Sequence, residues 1–151
     1  MTWIFWVGLT ASVAAAELAA GDAVPVFSAK DQFVRPFKFA PGLKFLLLGF
    51  DMTVGKAANQ KLTNLGAGGL EHYGAAYVLD VHTMPAVARI FALPKMRKYS
   101  HRIILAETEG MLAAFPHRAE KITVLALTPA GKIKEIHYWN PETEATASVF
   151  N

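Results

Sequence analysis

In the first half of the chain, a long and mainly apolar run ends abruptly in a polar turn. Residues 43–50 are Leu-Lys-Phe-Leu-Leu-Leu-Gly-Phe, and the turn that follows them is Asp51-Met52-Thr53-Val54-Gly55. A continuous apolar run is typical of a strand in a parallel sheet that is buried on both faces. We therefore predict a buried strand over residues 43–50 and a helix over residues 56–65, with Thr53 as the helix N-cap. In open α/β sheets, ligands usually bind at the carboxyl ends of such strands, where the chain turns into a helix.

Three later apolar runs predict further strands, over residues 75–81, 102–107 and 122–127. The last of these is followed by the turn Thr128-Pro129-Ala130-Gly131 and by residues 132–139, in which apolar and polar side chains alternate. This pattern predicts a β-hairpin.

Helical segments are predicted between the strands. Residues 84–93 have helical composition, with Pro85 in the tolerated first turn and Pro94 beyond the end. Residues 111–115 predict a brief second helix. Strands that alternate with helices and then close in a hairpin describe an α/β sandwich with a mixed central sheet.

The segment before residue 43 predicts one shorter strand. After Val24–Phe27, residues 28–32 have the composition of a turn, and residues 33–39 alternate like a half-exposed strand. Pro36 lies within this strand, and proline cannot donate to a central ladder. The strand is therefore predicted at an edge of the sheet.

The N-terminal residues have the composition of a secretory signal peptide. An apolar core over residues 2–9 is followed by small residues, with Ala14-x-Ala16 before Glu17, although no lysine or arginine precedes the core. The alternative, an uncleaved membrane anchor, is disfavoured because a spanning helix needs about 20 apolar residues. We expect a periplasmic or secreted protein without a transmembrane span after cleavage, composed of a signal peptide (1–16), a linker (17–23) and one domain (24–151).

The absence of cysteine restricts the chemistry of this chain. Exported domains often rely on disulfides, but these 151 residues contain none of the required cysteines and can perform no thiol chemistry. The net charge of +3 is too small to indicate nucleic-acid binding.

Three segments resemble the thioredoxin-fold superfamily, in its exported, peroxiredoxin-like branch. Gly21-Asp22-Ala23-Val24-Pro25-Val26-Phe27 with the later Asp31-Gln32 is similar to that branch's "G-x-x-x-P-x-F … D" opening. Phe45–Phe50 before a polar turn and helix resembles the first core strand, and Thr123–Ile133 resembles the closing hairpin with its "x-x-G-x-I" ending. The resemblance covers residues 21–140. It implies a thioredoxin-like three-layer sandwich with a mixed central sheet and a C-terminal β-hairpin.

The chain departs from this family at the residues that carry its chemistry. Aligned by strand ends, Gly55 and Ala58 fall near the two cysteines of the family's C-x-x-C motif. Ile122 stands near the position of the family's cis-proline or, in peroxidases, arginine. Disulfide exchange needs a thiolate and thiol peroxidation needs an oxidisable cysteine, so both activities are excluded.

A second resemblance concerns a flavin. The chain also looks like proteobacterial exported proteins with "D-M" after the first strand and "M-P" after the second, some of which are labelled FAD/FMN-containing dehydrogenases. The sequence contains no G-x-G-x-x-G motif to support a flavin or nicotinamide site, so we expect no cofactor.

Two aspartates at neighbouring strand ends are the main candidates for a site. Asp51 follows the first buried run and Asp80 ends the second, so we expect the two side chains to face one another. Such a pair of carboxylates could bind a cation or a polar ligand. The alternative is that each aspartate caps the helix that follows it. The candidate ligand-binding residues are Asp51, Met52, Thr53, Gly55, Lys56, Asp80, His82, Met84, Pro85 and Lys121.

The sequence also offers candidates for a metal site and for an anion site. His82 and Met84 beside Asp80 are the best metal candidates, but no H-x-x-x-H, H-x-H or M-x-x-M spacing occurs, so we expect no metal. A basic patch could bind an anionic partner, a lipid headgroup or a phosphate, or could simply be a solvated loop. It consists of Lys95, Arg97, Lys98 and Arg102.

These observations predict a non-catalytic binding or accessory protein. Its partner would be an unknown protein or small-molecule ligand in the cell envelope, and no nucleic-acid partner is expected. The ligand would bind at the strand-end surface, which is formed by the turns after the first two buried strands and by the loop before Ile122. The opposing hypothesis is a cofactor- or metal-dependent oxidoreductase that uses Asp51, Asp80 and His82. A structural subunit of an envelope complex is a third.

Overall fold

The computed structural model describes residues 16–151, so the predicted signal peptide lies almost wholly outside the described residues. Within them, seven strands form one sheet with three helices. The strands are β1 Ser28–Asp31, β2 Pro36–Lys38, β3 Phe45–Gly49, β4 Ala75–Asp80, β5 Ile104–Ala106, β6 Ile122–Leu127 and β7 Ile133–Trp139. The helices are α1 Met52–Leu62, α2 Gly69–His72 and α3 Ala86–Met96, with 3₁₀ turns at Thr63–Leu65 and Thr146–Phe150.

The sheet is mixed, in the order β2-β1-β5-β4-β3-β6-β7. Its centre is parallel, because β4 pairs in parallel with both β3 and β5. The other pairings are antiparallel, and β6 and β7 form the predicted hairpin. The predicted α/β class with a mixed sheet and a closing hairpin is therefore confirmed.

The central strands are buried on both faces, which explains their continuous apolar runs. In β3, Leu47 joins the core cluster beneath α1, whereas Leu46 and Leu48 join the cluster on the opposite face. Leu112 and Phe115 help to cover that second face from a series of turns. The brief helix predicted at residues 111–115 is thus wrong, although its apolar side chains are buried as the pattern suggested.

The first strand lies in a segment predicted as a turn. β1, Ser28–Asp31, occupies most of the predicted turn over residues 28–32. Its register is set by tertiary pairing, with Lys30 opposite Leu105 of β5, which overrides the polar local composition. β2 lies at the edge of the sheet, so the predicted edge position of Pro36 is confirmed.

Two helix ends also differ from prediction. α1 begins at Met52 because Asp51, rather than Thr53, is the N-cap. α3 continues through Pro94 to Met96. Pro94 has no N–H group and so removes one hydrogen bond from the last turns of the helix, but the N–H group of Arg97 still donates to Leu93 O at 3.1 Å. No helix within residues 16–151 is long and apolar enough to cross a membrane.

The segment predicted as a linker, residues 17–23, is attached to the domain. The Leu18 N–H donates to Ala114 O at 2.8 Å, and the Gly21 N–H donates to Ile133 O at 2.7 Å. The Leu18 side chain also packs against the second core cluster. Leu18 and Gly21 are therefore held against the domain by backbone hydrogen bonds.

Candidate functional site

The turn after β3 is organised by helix capping. Asp51 Oδ1 accepts a hydrogen bond from the Val54 N–H at 2.8 Å, which satisfies one of the donors at the start of α1. Asp51 and Thr53 also line a hollow of about 70 Å³ with Glu120 and Glu142. The capping alternative therefore holds for Asp51.

The turn after β4 is organised by an aspartate–histidine pair. Asp80 Oδ1 accepts a hydrogen bond from the His82 backbone N–H at 3.0 Å and lies 2.7 Å from His82 Nδ1. Arg89 of α3 then donates through Nη2 to the carbonyl oxygens of Val81 and His82. This turn is consequently fixed to the first half of α3.

The two aspartates are not brought into one pocket. The hollow that Asp51 lines does not include Asp80, each carboxylate accepts hydrogen bonds within its own turn, and no group of three metal-binding side chains occurs within residues 16–151. Asp80 does not cap α3, whose N-cap position is Pro85 without a side-chain bond. Met84 packs against the core, and Lys121 is half-buried before β6.

The positions aligned with the family's cysteines lie inside α1. Gly55 and Ala58 are both buried in the helix rather than exposed at its N-terminus, where a reactive thiolate would be stabilised. A Cβ on Gly55 would lie 2.6 Å from Leu79 Cδ1, so the glycine permits close packing of α1 on β4. Asp51–Val54 form the N-terminus of α1, and none of these residues is a cysteine.

The four residues of the predicted basic patch have two different environments. Arg97 Nε donates to a carbonyl oxygen of the β1–β2 turn at 2.9 Å, and Arg102 Nε donates to Asp31 Oδ2 at 2.8 Å. These two arginines hold β1 in place. Lys95 and Lys98 are exposed and form no ion pair within residues 16–151.

A groove between α1 and α3 unites members of both predicted residue sets. Its volume is about 380 Å³, within the range of about 300–1,000 Å³ that is usual for small-molecule sites. Met52 and Lys56 come from the predicted ligand-binding set, and Lys95 comes from the basic patch. No acidic side chain lines it. The lining residues are Met52, Lys56, Asn59, Ala88, Phe91, Ala92, Lys95, Met96 and Tyr99.

The deepest polar group of the groove is Asn59, which is 3% exposed. Its Oδ1 lies 2.8 Å from Nε2 of His101, a residue that is 1% exposed. Burial lowers the pKa of His101 to about 4, so the imidazole is neutral at pH 7 and donates through Nε2–H. Because Oδ1 of Asn59 is used in this way, its amide N–H groups are the ones that a ligand in the groove would meet.

A buried hydroxyl group, that of Tyr77, lies near His101. The ring centroids of Tyr77 and His101 are 6.0 Å apart, and neither Tyr77 Oη nor His101 Nδ1 has a hydrogen-bond partner within residues 16–151. Burial, with smaller contributions from Tyr99 and Asp51, raises the pKa of Tyr77 well above its usual value. The interior beside the groove floor is thus polar but uncharged at neutral pH.

Sequence reasoning missed most of the groove because the groove depends on how two helices pack. Met52, Lys56 and Asn59 occupy positions i, i+4 and i+7 of α1, and Ala88 and Ala92 share one face of α3. This spacing was the available signal, but it required α1 to be started at Met52 rather than at residue 56.

A wider depression of about 570 Å³ near the β1–β2 turn is less suited to binding an anion. Its arginines, Arg35 and Arg102, each donate through Nε to Oδ2 of the buried Asp31 at 2.8 Å. Burial alone would raise the pKa of Asp31. Hydrogen bonds from the backbone N–H groups of Arg35 and Phe33 and from both guanidinium groups outweigh it, so the pKa is lowered. The cations here are already committed to a structural carboxylate.

Comparisons with known proteins identify the architecture. Neither a protein-family profile nor a curated protein matches the chain. Among solved structures, a peroxiredoxin-like protein from Aquifex aeolicus matches with a TM-score of 0.59 and 14% identity, over 89% of this chain and 85% of that protein. The thioredoxin domain of a thiol-disulfide oxidoreductase from Bacteroides vulgatus matches with a TM-score of 0.56 and 14% identity, over 89% and 100%.

A thio-disulfide isomerase from Thermus thermophilus gives a TM-score of 0.54 with 17% identity, over 87% of this chain and 92% of that one. Identities this low carry information on the fold alone. The chain therefore has a thioredoxin-like fold, and its 151 residues contain no cysteine with which to perform thiol chemistry.

Proposed function

We propose that this chain is a non-catalytic binding protein whose α1–α3 groove accepts a small amphiphilic anion. Such a ligand has an apolar body and one negatively charged group, for which a carboxylate is the simplest example. The observation that carries the proposal is the groove itself, because it combines apolar walls with two lysines and contains no acid. Its position beside the β3–α1 turn agrees with the predicted strand-end surface.

The apolar walls would bury the body of the ligand. Met52, Phe91 and Met96 supply flexible or aromatic surface, and the two alanines of α3 leave space between them. Burial of an apolar chain contributes about 25 cal/mol per Å² removed from water. This term would supply most of the affinity.

The polar groups would select the charge of the ligand. Lys56 and Lys95 lie on opposite helices of the groove, and Asn59 offers amide N–H groups at its floor. An exposed ion pair of this kind contributes at most about 1 kcal/mol, so the lysines favour an anion without providing most of the affinity. A cationic ligand of the same length would be disfavoured.

The proposed cellular setting is the periplasm or the exterior of the cell. The composition of residues 1–16 supports it, with cleavage after Ala16. Export would be tested by determining the N-terminus of the protein recovered from a cell fractionation experiment. A protein that begins at Glu17 in the exported fraction supports this setting, and an unprocessed cytoplasmic protein contradicts it.

Binding is tested by calorimetric titration of the purified protein with decanoate, decanol and decylamine, which share one chain length and differ in head group. We expect decanoate to bind most tightly and decylamine most weakly. Equal affinity for decanoate and decylamine would contradict the role of the lysines, and no binding of any of the three would contradict the proposal.

Two variants locate the ligand. Ala92→Trp places a large side chain in the groove and is expected to abolish decanoate binding without unfolding the domain, because Ala92 is only half-buried. Lys56→Gln is expected to weaken binding severalfold. Lys38→Gln, which removes an equally charged side chain from the edge strand β2, is the matched control and should leave the affinity unchanged.

A further inference from the structure

The outward stripe of α3 is unusually apolar. Val87, Ile90 and Phe91 are 67%, 68% and 66% exposed, and Met96 is the one fully buried residue of this helix. Positions i, i+3 and i+4 share a helix face, so the three side chains form a single exposed patch. A surface helix normally turns such a stripe toward the core. Here the stripe faces solvent.

The stretch of sequence that carries this patch has positive but no negative side chains. Residues 81–106 contain no aspartate or glutamate, although the whole chain carries a net charge of only +3. The remainder of the chain is consequently net acidic. The cations of this stretch are Arg89, Lys95, Arg97, Lys98 and Arg102.

We propose that α3 docks the protein on the surface of an anionic lipid bilayer. Val87, Ile90 and Phe91 would enter the interface between headgroups and acyl chains. Lys95 and Lys98, which form no ion pair within residues 16–151, would remain among the headgroups. An apolar helix face with adjacent lysines is the arrangement that binds such surfaces.

The shape of the patch favours a bilayer over a folded protein partner. Its side chains project from a convex helix and so need no complementary pocket. Positive charge continues along the helix in a stretch without acids, which complements a uniformly negative surface. Phe91 and Lys95 also line the groove, but Val87, Ile90 and Lys98 do not, and the proposal goes beyond the groove ligand through these three residues.

The test is co-sedimentation of the purified chain with vesicles of phosphatidylglycerol and phosphatidylcholine, compared with vesicles of phosphatidylcholine alone. We expect binding to the anionic vesicles only, and its loss at about 1 M salt, where the Debye length is about 3 Å. Equal binding to both vesicle types, or binding to neither, would overturn the proposal.

Variants separate the apolar contribution from the charge. Val87→Ser with Ile90→Ser is expected to abolish sedimentation. Lys95→Gln with Lys98→Gln should weaken partitioning by about thirtyfold, from the usual contribution of about 1 kcal/mol for each basic residue near such a surface. Val26→Ser is the matched control, because Val26 is 65% exposed but lies outside α3. If the control variant loses as much binding as the α3 variant, the assignment to α3 is wrong.

Two further measurements test whether a second copy of the chain covers the patch and whether docking is independent of the groove. If light scattering shows a dimer that Val87→Ser with Ile90→Ser converts to a monomer, the patch is an interface between copies and the proposal fails. The same double variant should still bind decanoate in solution. Loss of vesicle binding with retained decanoate binding supports docking independently of the groove, whereas a wild type that binds decanoate but no vesicles refutes docking alone.

Discussion

Acidification should destabilise this protein through His101, a buried histidine whose charged form is disfavoured in the fold. The unfolded chain binds a proton on this residue with a pKa of about 6.5, whereas burial lowers the pKa in the folded protein to about 4. Between these values the unfolded state binds more protons. The free energy of unfolding therefore falls as the pH drops from about 6.5 to about 4, and this residue causes no further loss below that.

The size of the effect follows from the gap between the two pKa values. It corresponds to about 3 kcal/mol of stability that is fully present above pH 6.5. A further loss below about pH 4 is expected from Asp31, whose pKa is lowered in the fold and whose contribution disappears as the carboxylate is protonated. The two residues thus act in successive pH windows.

Urea unfolding at half-unit steps from pH 7.5 to about 3.5 measures this dependence. His101→Gln can still donate to Asn59 and does not titrate, so its stability should stay level across the histidine window while it is lower than the wild type at pH 7. His72→Gln, at an exposed position on α2, is the control and should keep the wild-type slope. A wild type without a slope, or a His101→Gln variant that retains it, would refute the reasoning.

Three further substitutions test the roles assigned by the structure. Asp51→Ala should lower the free energy of unfolding by about 1 kcal/mol, as for a lost N-cap, while Asp51→Asn should cost much less; equal losses in urea titrations would contradict capping. Gly55→Ala should cost about 1–3 kcal/mol, because its Cβ would lie 2.6 Å from Leu79 Cδ1; an unchanged melting temperature would show that Leu79 yields freely. Asp31→Asn should cost about 2 kcal/mol through its charged hydrogen bonds and remove the acid sensitivity below pH 4, and persistence of that sensitivity would assign it elsewhere.

The central sheet could be predicted because burial leaves a direct trace in the sequence. Residues 45–49 and 122–127 are apolar on both sides of their strands, as required when each face contacts a core cluster. β1 could not be predicted in the same way. Its Ser-Ala-Lys-Asp sequence has no strand pattern, and its conformation depends on pairing with β5, which is distant in sequence.

The candidate site was harder to predict than the fold. Met52 and Lys56 were named from their place after a buried strand, and the structure places them in the groove. The pairing of Asp51 with Asp80 was expected from topology alone, but local hydrogen bonds direct each side chain to its own turn. Asn59 was missed because its position at the groove floor depends on the separation of two helices.

The attachment of residues 17–23 has a consequence for processing of the chain. A protease that cuts after Ala16 would leave Leu18 and Gly21 bonded as they are, so the trimmed product would keep every contact described for the domain. A cut after Asp22 would instead remove the two residues that bond to the backbone of Ile133, because Gly21 donates to the Ile133 carbonyl and Asp22 O accepts from the Ile133 N–H. The backbone hydrogen bonds of Leu18 and Gly21 therefore limit how far the N-terminus can be shortened before the domain loses contacts.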